Sequence, residues 1–322
     1  MTTPTTTERQ AFLIERRKGM GGSDVAAALG LDPKKTPYRL WREKTGLDKD
    51  DATNPSAARR GNFLEPAVLA KYRALMSPAQ FDVQVTHHDG WRRGNQDARA
   101  IGPDGLRRCV EVKTVNRNVF RTSWGAPWSD EVPDRALCQG LWYANLDDAT
   151  IVDFAVLVIP DDPDEVVGRS ADEIVEVSEF HVFQAARNLP VERDLIDRAY
   201  VFWHDHVLAN VPPAIGVDDL DLRWPVHAPG AHKPAGPILE LLRAFAEKRV
   251  IANEAKKEVD ALRDQILLYA QDSEWIGDHE PLLLCKAEAR QAHQVAASQS
   301  RVLRFTKAWK QANPTTPNRQ EP

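Results

Sequence analysis

The stretch Pro103-Asp104-Gly105-Leu106-Arg107-Arg108-Cys109-Val110-Glu111-Val112-Lys113-Thr114 constrains the fold of this chain most. A Pro-Asp-Gly turn leads into a short alternating strand, and side chains on a strand point to opposite faces with a period of two. Val110 and Val112 therefore share one face, while Glu111 and Lys113 share the other. A buried strand of this kind aims a carboxylate and an amine at one spot, with Asp104 arriving from the preceding turn. Those groups suggest a divalent-metal site with a basic group beside it. A surface strand with exposed charges would produce the same letters, and a D-x6-E-x-K pattern standing alone is weak because its residues are common.

The chain has 322 residues, enough for one large α/β domain with an appendage, or for two domains. No apolar run approaches membrane-spanning length, and the polar start Met1–Thr7 lacks the apolar segment of a secretory signal. Cys109, Cys138 and Cys285 lie far apart and form no C-x-x-C pair, so neither a disulfide framework nor a cysteine zinc site is supported, and a reducing cytoplasm is expected. The net charge of -5 is unevenly spread. Residues 1–125 hold 22 Lys/Arg against 14 Asp/Glu, residues 126–225 hold 6 against 21, and residues 226–322 hold 14 against 12. Affinity for phosphate depends on the local field along a groove, so a polyanionic substrate remains plausible for the basic third, which also contains the site.

Arg9 to Lys18 reads as a short charged helix that ends at Gly19-Met20-Gly21-Gly22, after which Ser23-Asp24 opens a second helix. A helix N-terminus with free N–H groups and a hydroxyl suits an anion, with Arg16, Arg17 and Lys18 close by; an ordinary capped helix reads the same. Thr36-Pro37 starts another helix closed by Thr45-Gly46, and Asp48 to Ala58 reads as a polar loop. A helix from about Asn62 to Leu75 follows, with Glu65 in its first turn, where the helix dipole alone accounts for a carboxylate. Phe81 to His88 and Trp91 to Ile101 form a hairpin into the Pro-Asp-Gly turn. His87 and His88 face opposite sides and read as a solvated strand end. Asn116 to Asp130 reads as a loop, Asp134 to Asn145 as a helix, Ile151 to Ile159 as a buried strand, Asp161 to Asp172 as an acidic loop and Ile174 to Phe183 as a further strand. Val191 to Leu208 is an amphipathic helix whose His204-Asp205-His206 are structural, because residues two apart on a helix do not face each other.

Pro225 to Pro237, with four prolines and two glycines, is the clearest linker. The division that follows is residues 1–224 as the main domain, 225–237 as linker, and 238–310 as a long amphipathic helix plus a short strand and helix. Residues 311–322 form a disordered tail. Leu241, Phe245, Lys248, Ala252, Ala255, Val259, Leu262, Ile266 and Tyr269 recur as a coiled-coil-like seam.

Hydrolysis of a phosphodiester needs an activated water, shielding of charge on the phosphate and help for the leaving oxygen. Two metal ions roughly 4 Å apart can supply all three. Magnesium and manganese want hard oxygen ligands, which Glu65, Asp104, Glu111 and the carbonyl of Val112 could provide. Lys113 beside them would orient or deprotonate the water, or neutralise charge.

The chain resembles the YqaJ-type viral recombinases, lambda-exonuclease-like members of the PD-(D/E)xK nuclease superfamily. The resemblance rests on ordered blocks over roughly residues 12–215: Gly21-Gly22-Ser23-Asp24-Val25-Ala26, Thr36-Pro37-Tyr38-Arg39-Leu40-Trp41 with Lys44-Thr45-Gly46, and Gly61-Asn62-Phe63-Leu64-Glu65-Pro66. After these come Pro103-Asp104-Gly105-Leu106, Glu111-Val112-Lys113-Thr114, and Val132-Pro133 with Gln139. Any one block is weak and the ordered set is strong. The resemblance implies an α/β (α+β) fold, a restriction-endonuclease-like central mixed β-sheet flanked by helices, here with a helical C-terminal extension. It implies a Mg2+-dependent DNA exonuclease, with Mn2+ as a substitute and two ions per site, degrading one strand of linear duplex 5′ to 3′ in phage-type recombination. It assigns Glu65, Asp104, Glu111 and Val112 to metal, Lys113 to the water, Gln139 to support of the site, and Arg16 and Ser23 to the terminal 5′ phosphate. Double-stranded DNA ends, a single-strand annealing protein and a homo-oligomeric ring are the implied partners, in the cytoplasm of a bacterial host, with no membrane. With three scattered cysteines, the iron–sulfur cluster of some members is not expected. The alternatives are a sequence- or structure-specific endonuclease of the same fold and a non-catalytic DNA-binding or assembly subunit.

Overall fold

The structure is a computed structural model that describes residues 14–48, 55–160, 166–224, 234, 236–271, 275–276 and 283–284. Most of the Pro-rich linker, the start of the Arg9–Lys18 helix, the 311–322 tail and the segment Ser298–Trp309 lie outside the described residues. Residues up to Leu220 make one compact unit and those from Asp221 another.

In the first unit, helices α1 (Gly22–Ala28), α2 (Pro37–Lys44) and α3 (Pro55–Met76) precede strands β1 (Gln80–Asp89), β2 (Arg92–Ile101) and β3 (Arg107–Asn116). Then follow α4 (Arg117–Ser123), α5 (Asp134–Asp147), β4 (Ile151–Ile159), α6 (Ala171–Val177), β5 (Glu179–Ala186) and α7 (Leu189–Val201), which runs on as a π-helical stretch to Leu208. The strands lie in the order β1-β2-β3-β4-β5, with β3 and β4 parallel and every other pair antiparallel. The expected central mixed sheet flanked by helices is therefore present.

The apolar run of β4 is buried on both faces because helices cover both. Ala155, Leu157 and Ile159 face a cluster with Leu64, Val68 and Tyr72 of α3 and Ile174 and Val175 of α6. Val152 and Phe154 face α5 at Gly140, and Trp124 packs on both the Phe154 and the Phe183 rings. Asp153, the polar residue in the run, accepts from Tyr72 Oη at 2.5 Å and from Gln184 Nε2 at 2.9 Å, with Arg108 Nε at 3.3 Å. A Cβ on Gly140 would lie 2.5 Å from Val152 Cγ1 and 2.9 Å from Phe154 Cζ. Gly140→Ala should therefore lose about 1–3 kcal/mol to overpacking, more than the helix propensity it gains, in a urea or thermal unfolding measurement.

Three elements differ from the sequence expectations. Helix α3 begins at Pro55 and runs through Gly61 and Pro66, because Leu64, Val68 and Tyr72 bury enough apolar surface to carry a helix past both residues. Glu65 thus sits mid-helix, beyond reach of the first-turn dipole effect. Within the expected 116–130 loop, α4 forms with Asn116 Oδ1 accepting from Val119 N–H. The first part of the expected 174–183 strand is helix α6, started by a Ser170/Glu173 capping box. The second unit contains helix α8 (Leu239–Ala270) and a two-stranded pairing of Trp275–Ile276 with Leu283–Leu284. No helix among the described residues is long and apolar enough to cross a membrane.

Candidate active site

The site lies where two central strands part. The β2–β3 ladder holds only from Ala98↔Val110 to Ile101↔Arg107, while the β3–β4 ladder continues to Asn116↔Ile159 and β1 stays with β2 to Asp89↔Arg92. Beyond Ala98 the two strands fork, and the Asp97 side chain takes over the missing ladder bond: its Oδ2 accepts from Val112 N–H at 2.7 Å. Alternation then sets Asp97 on β2 opposite Glu111 and Lys113 on β3, and the carbonyl of Val112 points to the same side as its N–H, into the fork.

Glu111 is fully buried, and its Oε1 has no hydrogen-bond partner. Its carboxyl is pushed up to about 8, first by burial and then by Asp97, with Lys113 pulling the other way. Burial also raises Asp97, and Glu65 on α3 is raised to about 7 by burial and by Asp97. Three mutually repelling carboxyls therefore share one cationic neighbour, Lys113, whose Nζ donates to Glu111 Oε2 at 3.1 Å. Among the described residues no three His, Cys, Asp or Glu converge on one point at metal-binding distance. The chemistry of the set nevertheless suits a hard divalent cation. It is all oxygen, it carries an orphaned buried carboxylate atom, and its three carboxyls outnumber their one cation.

Lys113 is fixed from a second side. Gln139 on α5 accepts from Lys113 Nζ at 2.9 Å, and its side chain also hydrogen-bonds Tyr143 one turn later. Tyr143 is 4 % exposed, and its hydroxyl feels the charges of Glu111, Asp97 and Asp24. A Cβ on Gly22 would lie 2.7 Å from the Tyr143 ring and 3.2 Å from the Gln139 carbonyl, so only glycine lets α1 seat here. Helix α1 thus rests directly on the residues that hold Lys113.

Arg16 approaches Ser23 Oγ at 3.4 Å and pairs with Asp24 at 3.2 Å. Asp24, fully buried, is also 2.5 Å from Lys44 Nζ and accepts from Gly21 N–H at 2.9 Å. It rather than Ser23 closes the start of α1. Its carboxyl stays ionised despite burial because Lys44 and Arg16 flank it. Lys44 donates further to the Arg16 and Gly19 carbonyls, which ties down the segment carrying Arg16. Arg16 and Lys44 thus share one carboxylate, and the Arg16 guanidinium also reaches Ser23. Arg17 turns away to the Glu43 and Asp48 carbonyls.

Of the residues expected at the site, the structure brings together Glu65, Glu111, Val112, Lys113 and Gln139, and separately Arg16 with Ser23. It does not bring Asp104 to them. Asp104 is exposed in the turn and held by both Arg108 amines at 2.9 and 2.7 Å, which depresses its carboxyl to about 2. Asp97, seven residues earlier, lies beside the cluster instead. A signal for Asp97 existed: in Gln96-Asp97-Ala98-Arg99-Ala100 the alternation buries the alanines and leaves an Asp, a poor strand former, on the other face. Tyr143 and Lys44 carry no comparable signal, since a tyrosine on a helix and a lysine at a helix end read as ordinary. His204 and His206 sit in the π-helical stretch, where His206 Nδ1 meets the Val211 carbonyl and its own carbonyl accepts from Trp41.

Over 214 residues the chain is 27% identical to an uncharacterised protein YqaJ of Bacillus subtilis (strain 168), covering 64% of this chain and 59% of that relative. Among solved structures it is similar to an alkaline exonuclease (LHK-Exo) from Laribacter hongkongensis, with 14% identity and a TM-score of 0.44 over 63% of this chain and 94% of the other. A phage-related exonuclease from Haemophilus somnus 129PT matches at 14% identity and a TM-score of 0.42 over 62% of this chain and 99% of the other. The family model of the YqaJ-like viral recombinase domain matches residues 11–148, a span that runs from Arg16 past Tyr143 and encloses the whole site. Over residues 11–148 the chain is therefore similar to the YqaJ-like viral recombinase domain, and it spans 59% of the length of the YqaJ relative that it matches.

Proposed function

We propose that the protein is a metal-dependent DNA exonuclease that digests linear duplex from its 5′ ends and leaves single-stranded overhangs for recombination. The observation that carries this reading is the fork itself, where Asp97, Glu111 and Glu65 surround Lys113, with α1, which carries Ser23 and its Arg16 contact, seated on Tyr143 and Gln139. Asp97, Glu111, Glu65 and the Val112 carbonyl would hold the metal, magnesium or manganese, as one or two ions. A bound divalent cation supplies charge shielding of the phosphate and a more acidic water. The chain supplies the rest. Lys113, held by Gln139 and Glu111, sits where it can orient the attacking water and receive or release its proton. Arg16 and Ser23 would take the terminal 5′ phosphate and so set which bond reaches the fork. A single-strand annealing partner and a closed ring of copies belong to the same proposal, tested by co-purification and by sedimentation.

The experiment is digestion of end-labelled linear duplex, 5′-phosphorylated or not, with magnesium or with chelator, alongside closed circular DNA. Linear duplex should be shortened from its 5′ ends only with metal. Loss of the 5′ phosphate should slow it by about 10–100-fold, the worth of one charge-assisted hydrogen bond. Closed circles should survive. Cleavage of circles would make the protein an endonuclease, and inertness towards every substrate would make it a binding subunit.

A further inference from the structure

A groove of about 760 Å³ opens beside the fork, between α3 and the edge strand β1. Glu65 forms one end of it, Pro66, Leu69, Ala70 and Ala74 line one wall, and Phe81, Val83 and Gln84 line the other. Arg73 stands at its far end with its guanidinium 5.8 Å from the Phe81 ring centre. Val83 is 56 % exposed on this wall. Gln84 adopts a left-handed backbone (φ 53) directly opposite Asp97, where the ladder skips from Val83↔Ala98 to Val85↔Gln96. A non-glycine residue in that conformation in mid-strand stores strain that a fold retains chiefly at functional places.

We propose that this groove is the path of the nucleic-acid strand leading away from the carboxylate cluster, with Arg73 holding a backbone phosphate. The proposal deepens the nuclease reading and rests on it. Three features select a polynucleotide over a second copy of this chain. The groove is continuous with the fork through Glu65, so a strand in one reaches the other. Its floor is uncharged, and exposed cations stand at both ends of one α3 stripe: Arg59, Asn62, Pro66, Ala70 and Arg73 recur at helical spacing and are all exposed. Arg59 and Arg73 are separated by about 21 Å along the helix, the rise of about six nucleotides of one duplex strand. The apolar walls fit bases and sugars, while the end cations fit phosphates.

The test measures binding of a short dye-labelled, 5′-phosphorylated duplex by anisotropy over a range of salt, in chelator, so that nothing is cut. Arg73→Glu should weaken binding by about tenfold or more and lower the slope of log affinity against log salt by about 0.7–0.9, one phosphate contact. Ala70→Glu, on the exposed α3 wall, should also weaken binding, and Arg73→Lys should keep the slope. Unchanged affinity and slope in both glutamate variants overturns the proposal, as does a change of sedimentation coefficient with no change in DNA affinity, which assigns the groove to a second copy. A wild-type protein that never digests DNA, yet loses binding in Arg73→Glu, would sink the nuclease reading and leave the groove standing.

Discussion

Asp97→Asn should lower digestion of linear duplex by about 10³-fold, while Asp104→Asn should leave it within about twofold, because several kcal/mol of metal-borne charge stabilisation hang on the carboxylate in the fork. Asparagine keeps an oxygen that can accept from Val112 N–H, so the strand fork survives and the loss isolates the charge. Asp104 is tied to Arg108 in an exposed turn, and Arg108 keeps its contact to Asp153 in the variant. The two substitutions remove the same charge seven residues apart, so steady-state digestion rates measured side by side separate the two assignments. Equal losses in both would show that Asp104 moves into the site when DNA binds, and a silent Asp97→Asn would remove Asp97 from the metal set.

The contrast between Asp97 and Asp104 also shows how far the sequence reaches. Period-two alternation located β3 and the shared face of Glu111 and Lys113, because that rule is local to one strand. The Asp that joins them is decided by where β2 and β3 stop pairing, a property of two strands that neither sequence states. A Pro-Asp-Gly turn next to the strand therefore looks like the better candidate, although Arg108, four residues on, captures its carboxylate. Gly61 and Pro66 hide the length of α3 and make the helix seem to start beside Glu65, so that a first-turn dipole role reads as enough to explain it. The Ser170/Glu173 capping box stands in the sequence, yet the alternation from Ile174 onward reads as a strand. Arg16 and Arg17 cannot be told apart by sequence. Their separation depends on Lys44, which anchors the segment and turns one guanidinium to Ser23 and the other to Glu43 and Asp48.

Lys113→Ala should abolish digestion of linear duplex, a loss of about 10²–10⁴-fold for a positioned proton-transfer group, while leaving DNA binding in chelator largely intact. The size of the loss follows from what holds the amine. Glu111 Oε2 and Gln139 Oε1 accept from it at 3.1 and 2.9 Å, and the bond from Gln139 to Tyr143 stops the amide from flipping. An amine with two fixed acceptors points its remaining proton one way, which is what positioning a water requires. Lys113→Arg should not restore activity, because a planar fork cannot place a single donor between those two oxygens. Gln139→Ala should cost less, about tenfold, since Glu111 still anchors one side and only the orientation is loosened. Tyr143→Phe should behave like a weaker Gln139→Ala, with the loss in kcat rather than in KM, because the hydroxyl acts through Gln139. Full activity in Lys113→Ala would leave the fork as a metal-binding or structural cluster with no need of an amine.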